Sequence, residues 1–234
     1  KDINNYKQDE DVLDTWFSSA LWPFSTLNWP DINNEDYKRY FPTSLMVTGY
    51  DLIFFWVSRM VFQSIEFTKE PPFKQILIHG LIRDKQGRKM SKTLGNGIDP
   101  FDVIAKYGID ALRYFLTTNS SPGLDMRYDE KKVEASQNYL NKIWNSARYV
   151  LDILGKDFKV KDLDFKKLPV MEKYIISRLN ETINNVTKNM EKFELGAASS
   201  YLYNFVYDDF CSFYLEMSKL TNTQEDTKQV LYHV

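Results

Sequence analysis

The chain has 234 residues, 43% apolar and 26% charged, with a formal net charge of −2, an ordinary globular composition long enough for one or two domains. Its longest apolar run, Leu52 to Val57, is far short of the roughly 20 residues that cross a bilayer, which excludes a spanning helix, and the near-neutral balance excludes a globally basic nucleic-acid binder, so any RNA contact rests on local patches. Residues 1–14 are polar, without a signal-peptide core, and Cys211 is the single cysteine, so a reducing, cytoplasmic setting is expected.

From the amino end, Leu45-Met46-Val47 reads as a strand, Asp51 to Ser64 as an apolar helix, and Gln75 to Ile82 as a second strand whose near-continuous apolar run suits a buried parallel partner. That order makes a parallel sheet, and ligands gather at the carboxyl ends of such strands. Gly49 stands there and admits close backbone approach. Asp51 can accept hydroxyl or ammonium protons, although an aspartate opening a helix is also an ordinary cap. His79 ends the second strand, either touching a ligand or satisfied structurally. Leu52 lies one turn before Trp56 on one helical face; Trp56, like Trp16, either walls a pocket or fills a core.

The segment Gln86 to Gly97 follows, with Lys89-Met90-Ser91-Lys92-Thr93 between Gly87 and the pair Gly95 and Gly97. Glycines let the backbone approach a ligand, two lysines place compact charges on phosphate oxygens, and Ser91 and Thr93 add hydroxyls. Arg83, Lys85, Arg88, Lys89 and Lys92 describe equally a hydrated basic turn.

Asp99-Pro100-Phe101-Asp102 predicts a capped helix ending at Gly108, and Asp110 a cap for the next. Beyond Pro122-Gly123 the pattern is helical. One helix is expected over 129–154, with Val133, Leu140, Ile143, Ala147, Val150 and Leu154 as its stripe and Gly155 as its stop. Residues 156–168 read as a linker. A second helix starts at Pro169, with Ile176, Leu179, Ile183, Val186, Met190 and Phe193 inward, and breaks at Leu195-Gly196. A third runs over 197–220, with Leu202, Phe205, Phe213, Met217 and Leu220 inward and Cys211 as a buried small hydrophobe. Together they argue an antiparallel bundle, and residues 221–234 read as a truncated continuation.

Several motifs together carry a resemblance. The run from His79-Gly80-Leu81-Ile82-Arg83-Asp84 through Lys89-Met90-Ser91-Lys92-Thr93 to Asp99-Pro100 resembles the signature loop of class I aminoacyl-tRNA synthetases, most closely their valine-specific branch. So do Asp14-Thr15-Trp16-Phe17-Ser18-Ser19, Val47-Thr48-Gly49-Tyr50-Asp51, Phe54-Phe55-Trp56-Val57-Ser58-Arg59, Asn141-Lys142-Ile143-Trp144-Asn145 and Tyr207-Asp208-Asp209-Phe210-Cys211. Thr93 replaces the loop's usual final serine. The family's His-x-Gly-His motif has no counterpart, since the only histidines are His79 and His233.

The resemblance implies an α/β fold: the second half of a Rossmann-type nucleotide-binding domain over 1–127, then a partial helical anticodon-binding domain over 128–234. It implies valine activation with ATP carrying Mg2+, no protein-bound metal, and transfer to tRNA(Val) by a monomer. Lys92 and Lys89 would act on the phosphates, with Ser91, Gly49, Asp51 and His79 in the ATP site. Trp16, Trp56 and Leu52 would line the amino-acid pocket, and Asn141, Lys142, Trp144, Asn145 and Arg148 would face tRNA, though those five equally describe a solvated helix face. With one signature motif missing, this stretch alone is expected to be inactive, leaving a non-catalytic tRNA-docking role, or an isoleucine- or leucine-specific parent, as the other readings.

Overall fold

A computed structural model describes residues 3–234, and the chain divides into two compact units, Lys1–Leu81 and Ile82–Val234. In the first, helices α1 (Thr15–Ala20), α2 (Trp22–Ser25) and α3 (Glu35–Tyr40) precede strand β1 (Thr43–Gly49). Asp14 accepts the Trp16 N–H at 2.7 Å and Asn34 that of Asp36 at 2.9 Å, so short polar caps satisfy donors that no helical carbonyl reaches. β1 pairs in parallel with β2 (Phe73–His79), Gly49 opposite His79. The crossover is wound three ways: a 3-10 turn at Tyr50–Leu52, a π-wound stretch at Ile53–Val57, then α4 (Ser58–Thr68), closed by Lys69 in the left-handed region. Phe24 is the fully buried hub, with Trp29 and Phe41 edge-on at 5.2 and 6.1 Å.

The expected strand, helix, strand order and parallel pairing are therefore present. Two details differ. β2 stops at His79, and Ile82 belongs to a separate strand, β3 (Ile82–Arg83), in the second unit. Val47 and Ile76 are exposed rather than buried; the register pairs Val47 with Leu77 and Met46 with Ile76, so the two stand on opposite faces and neither face of the two-stranded sheet is fully covered.

In the second unit β3 pairs in parallel with β4 (Met126–Arg127). Helix α5 (Pro100–Tyr107) begins as the sequence predicts: Asp99 accepts the Phe101 N–H at 2.8 Å, and Gly108 at φ 85° ends the helix. Asp110 is not the expected cap. Helix α6 (Ile109–Thr118) starts from Gly108 without a side-chain cap, and Asp110 is a first-turn acid 3.5 Å from Arg113. With the start of α7 (Glu130–Leu154), α5 and α6 enclose Val103, Ala111, Leu112, Phe115 and Val133.

Helix α7 begins where Asp129 accepts the Lys131 N–H at 3.1 Å and stops at Gly155. Ala147 is exposed, whereas Ser136 and Tyr139 are buried, because Tyr139 packs on Tyr203 at 4.8 Å. The irregular stretch after Gly155 is held by buried Gln229, which donates to Lys159 O at 2.7 Å and accepts from Lys161 N at 2.9 Å.

Helix α8 (Val170–Glu191) buries Glu172, Ile175 and Thr182, leaving Ile183 and Met190, both expected inside, exposed. The break falls at Phe193, φ 58°, ahead of the expected Leu195-Gly196. Helix α9 (Leu195–Asn204) continues into a π-wound segment, Phe205–Tyr214, and α10 (Leu215–Ser218). A π turn adds a residue per turn and rotates every later side chain. Phe205 and Cys211 face the core as expected, joined by Phe210, Tyr214 and Leu215 beside Val150 and Ile175, while Phe213, Met217 and Leu220 face outward, as does Leu202 ahead of the π-wound segment. Within residues 221–234, α11 (Glu225–His233) places Val230 and Leu231 in that same core.

Candidate active-site elements

The parallel pairing in the first unit brings Gly49, Asp51 and His79 together. A Cβ on Gly49 would lie 2.7 Å from Asp51 Oδ1 and 3.6 Å from His79 Cε1, so the side chain of Asp51 occupies the space that only glycine leaves. Asp51 does not cap the crossover: the cap position falls on Gly49, without a side-chain hydrogen bond. The exposed His79 imidazole places Nδ1 2.8 Å from Gly80 O, and since a carbonyl only accepts, Nδ1 carries the proton.

Trp56 donates its indole N–H to Ser19 O at 2.9 Å, and Arg59 stacks on the Trp16 ring with its guanidinium carbon 4.6 Å from the centroid. Both tryptophans thus belong to the seam between α1 and the crossover. Trp56 also lines a cavity of about 510 Å³ with Trp22, Arg39, Tyr40 and Met60, a lining that includes neither Trp16 nor Leu52. Leu52 closes the 3-10 turn and Trp56 lies in the π-wound stretch, so the α-helical spacing expected to align them does not hold here.

The lysine loop lies in the second unit and leaves β3 rather than β2. Asp84 N–H donates to Arg88 O at 3.0 Å, Gly87 N–H to Asp84 O at 2.8 Å, and Gly87 at φ 84° turns the chain under the Arg127 guanidinium. Asp84, 5% exposed as a residue, accepts through its carboxylate from Arg88 N and Arg88 Nε, both at 2.7 Å, and from Asn96 Nδ2 at 2.9 Å. These bonds, the Asn96 amide first, hold its carboxyl down at about 2. Asn96 also accepts the Ser91 N–H at 2.9 Å and donates to Lys89 O at 3.3 Å. Lys89 and Lys92 are exposed, and neither has an ion-pair partner among the described residues.

Asp84 and Asn96 were missed by motif reading. Their signal was an aspartate inside a basic run and an amide between two glycines.

On α7, Asn141, Trp144, Asn145 and Arg148 are exposed. Lys142 differs from them: its Nζ lies 3.8 Å from the Tyr207 centroid and 3.5 Å from Ser212 Oγ, so the charge is engaged by the neighbouring helix. Tyr207 stacks on Tyr203 at 5.2 Å. Asp209, two residues on, accepts from Arg178 at 3.0 Å and Tyr174 at 3.1 Å, tying the π-wound segment to α8. Among the described residues no cluster of His, Cys, Asp or Glu is arranged to hold a metal, and no helix is long and apolar enough to cross a membrane.

Residues 1–129 match the family model described as tRNA synthetases class I (I, L, M and V). The chain belongs to the class I tRNA synthetases. Residues 172–234 of this synthetase match the anticodon-binding domain of tRNA ligase, so a catalytic-domain portion is followed by an anticodon-binding one. Valine–tRNA ligases of Staphylococcus aureus strains JH9 and Newman are each 59% identical over 229 residues, 97% of this chain and 26% of the relative. The synthetase chain thus spans about a quarter of the curated relatives it matches. The fold is that of solved synthetases: the Agrobacterium radiobacter K84 LeuRS–tRNA–LeuAMS ternary complex (TM-score 0.78, 20% identity, 96% of this chain and 29% of that one) and Mycobacterium tuberculosis methionyl-tRNA synthetase bound by methionyl-adenylate (0.75, 20%, 93% and 44%).

Proposed function

We propose that the full-length protein is a valine–tRNA ligase, which activates valine with ATP to valyl-adenylate and transfers it to tRNA(Val). The observation that carries this is the loop of Lys89 and Lys92, built on an internally neutralised Asp84–Arg88 turn that leaves both ammonium groups free of carboxylates among the described residues. When the valine carboxylate attacks the α-phosphate, negative charge collects on the departing pyrophosphate, and lysines meeting it there favour the transition state over the ground state. Lys92 is the first such group, Lys89 the second, and Ser91 a further hydroxyl partner. Gly49, Asp51 and His79, gathered at the ends of β1 and β2, serve the ATP site and the amino acid's ammonium; Trp16, Trp56 and Leu52 serve the side-chain pocket. Magnesium arrives with ATP.

The division at 127/128, a cytoplasmic monomer, and tRNA contact through Asn141, Trp144, Asn145 and Arg148 belong to the same reading, with Lys142 supporting that face. Valine-dependent ATP–pyrophosphate exchange tests it. The full-length protein should prefer valine over isoleucine and leucine and lose exchange when Lys92 becomes Ala; preference for either other amino acid would overturn the specificity. The 234-residue chain by itself, without a His-x-Gly-His motif, should show no exchange.

A further inference from the structure

The lysine loop contains one side chain that bonds to it at both ends of an amide. Asn96 Oδ1 accepts the Ser91 N–H at 2.9 Å, and Asn96 Nδ2 donates to Lys89 O at 3.3 Å and to Asp84 Oδ2 at 2.9 Å. The two contacts to the loop, at Lys89 O and Ser91 N, bracket Met90, and the third reaches the buried carboxylate of the turn below. Gly95, at φ 59°, shapes the chain beside this amide.

Asp84 has five basic residues near it in sequence, Arg83, Lys85, Arg88, Lys89 and Lys92, any of which is a chemically suitable partner. The geometry gives it to Arg88, whose main-chain N–H bonds Oδ1 and whose Nε bonds Oδ2, and the Asn96 amide shares Oδ2 with that Nε. A neutral amide ties the loop down without placing a second negative charge beside the position where phosphate would bind.

Resting on the phosphate role of the loop given above, we propose that Asn96, anchored by Asp84, is the positioning residue that sets the backbone course from Lys89 to Ser91 and thereby presents both lysines to polyphosphate. Neither Asn96 nor Asp84 touches the reacting atoms in this proposal. Their effect is geometric, and misplacing a charge-stabilising group by about an ångström costs up to roughly a hundredfold in rate.

The test measures valine-dependent ATP–pyrophosphate exchange in the full-length protein, with hydrogen exchange of the Ser91 amide as a readout that needs no catalysis. Asn96→Ala should lower kcat roughly tenfold to hundredfold, leave KM for valine within about twofold, since the amino-acid pocket is untouched, and speed exchange at Ser91. Asn96→Asp, which keeps the acceptor but loses the donor, should also lose rate. The swapped pair Asp84→Asn with Asn96→Asp restores a donor facing an acceptor and should recover part of it. Wild-type kcat in Asn96→Ala, while Lys92→Ala is inactive, overturns the positioning role and spares the phosphate role. Wild-type exchange in Lys92→Ala overturns both. Should Asn96→Ala fail to fold, the swap decides: a pair no faster than Asn96→Asp alone refutes the tie.

Discussion

The indole N–H of Trp56 donates to Ser19 O at 2.9 Å, which fastens α1 to the π-wound part of the crossover. Helix α1 is six residues long and has little stability of its own, so the position of Trp16 depends on this bond and on Arg59 lying over its ring. Trp56→Phe keeps part of the ring and removes the donor, leaving Ser19 O with only the Leu21 N–H of the helix end. A cost of about 1 kcal/mol in urea unfolding is expected, together with a raised KM for valine in the full-length protein. A raised KM for ATP with that for valine unchanged would separate this seam from the amino-acid pocket.

Gly196 tests how tightly α9 meets the end of α6. A Cβ there would lie 3.1 Å from Ser120 O and 3.2 Å from Thr118 O, both backbone atoms with little room to retreat. Alanine in a helix gains up to about 1 kcal/mol over glycine, less in a first turn, while forced overpacking costs about 1–3 kcal/mol. The clash should win. Gly196→Ala is expected to lower the thermal midpoint, and an unchanged or raised midpoint would show that the helix ends slide apart freely.

Local rules found most elements of this chain and failed where winding changed. Asp99 and Asp129 mark the starts of α5 and α7, and Gly108 and Gly155 their ends, because caps and stops act over a few residues. The faces of α8 through α10 were legible only in part: Ile176, Leu179, Phe205 and Cys211 meet the core as expected, whereas Ile183, Met190, Leu202, Phe213, Met217 and Leu220 do not. Three-four spacing assumes α winding, and the π-wound residues Phe205–Tyr214 turned Phe213 outward and brought Phe210 and Tyr214 into the core, while Cys211 is buried as expected. In the loop, the two lysines could be read from a motif, but the Asn96–Asp84 bond spans twelve residues and follows no periodicity. Lys142 looked like its solvated neighbours because the ring of Tyr207, which engages it, lies far away in sequence.

That engagement separates the basic groups on α7. Arg148 is exposed on the open face beside Asn145, whereas Lys142 lies over Tyr207. If tRNA meets this face, Arg148→Ala should weaken binding and reduce the dependence of log affinity on log salt by about one. Lys142→Ala should leave that slope nearly unchanged and cost about 0.5–1 kcal/mol of stability through the lost ring contact. Filter binding to tRNA from low to moderate salt distinguishes the two; a full unit of slope lost in Lys142→Ala would mean that the lysine leaves its ring for phosphate.

Asp84 gives the lysine loop a predictable response to acid. Its carboxyl titrates at about 2 instead of 3.8, chiefly because the Asn96 amide and the Arg88 donors bond the ionised form. A folded-state value below the unfolded one means that the unfolded chain binds the proton first as pH falls. The stabilisation is therefore complete above 3.8 and drains away between 3.8 and about 2. Asp84→Asn cannot ionise, so subtracting its urea stability from that of the natural chain isolates this group. The difference should be flat from neutrality to about pH 5, shrink through the acid range, and level off near pH 2. A difference that grows with acidity would mean that protonated Asp84 is the better partner for Asn96, reversing the electrostatic account of the turn.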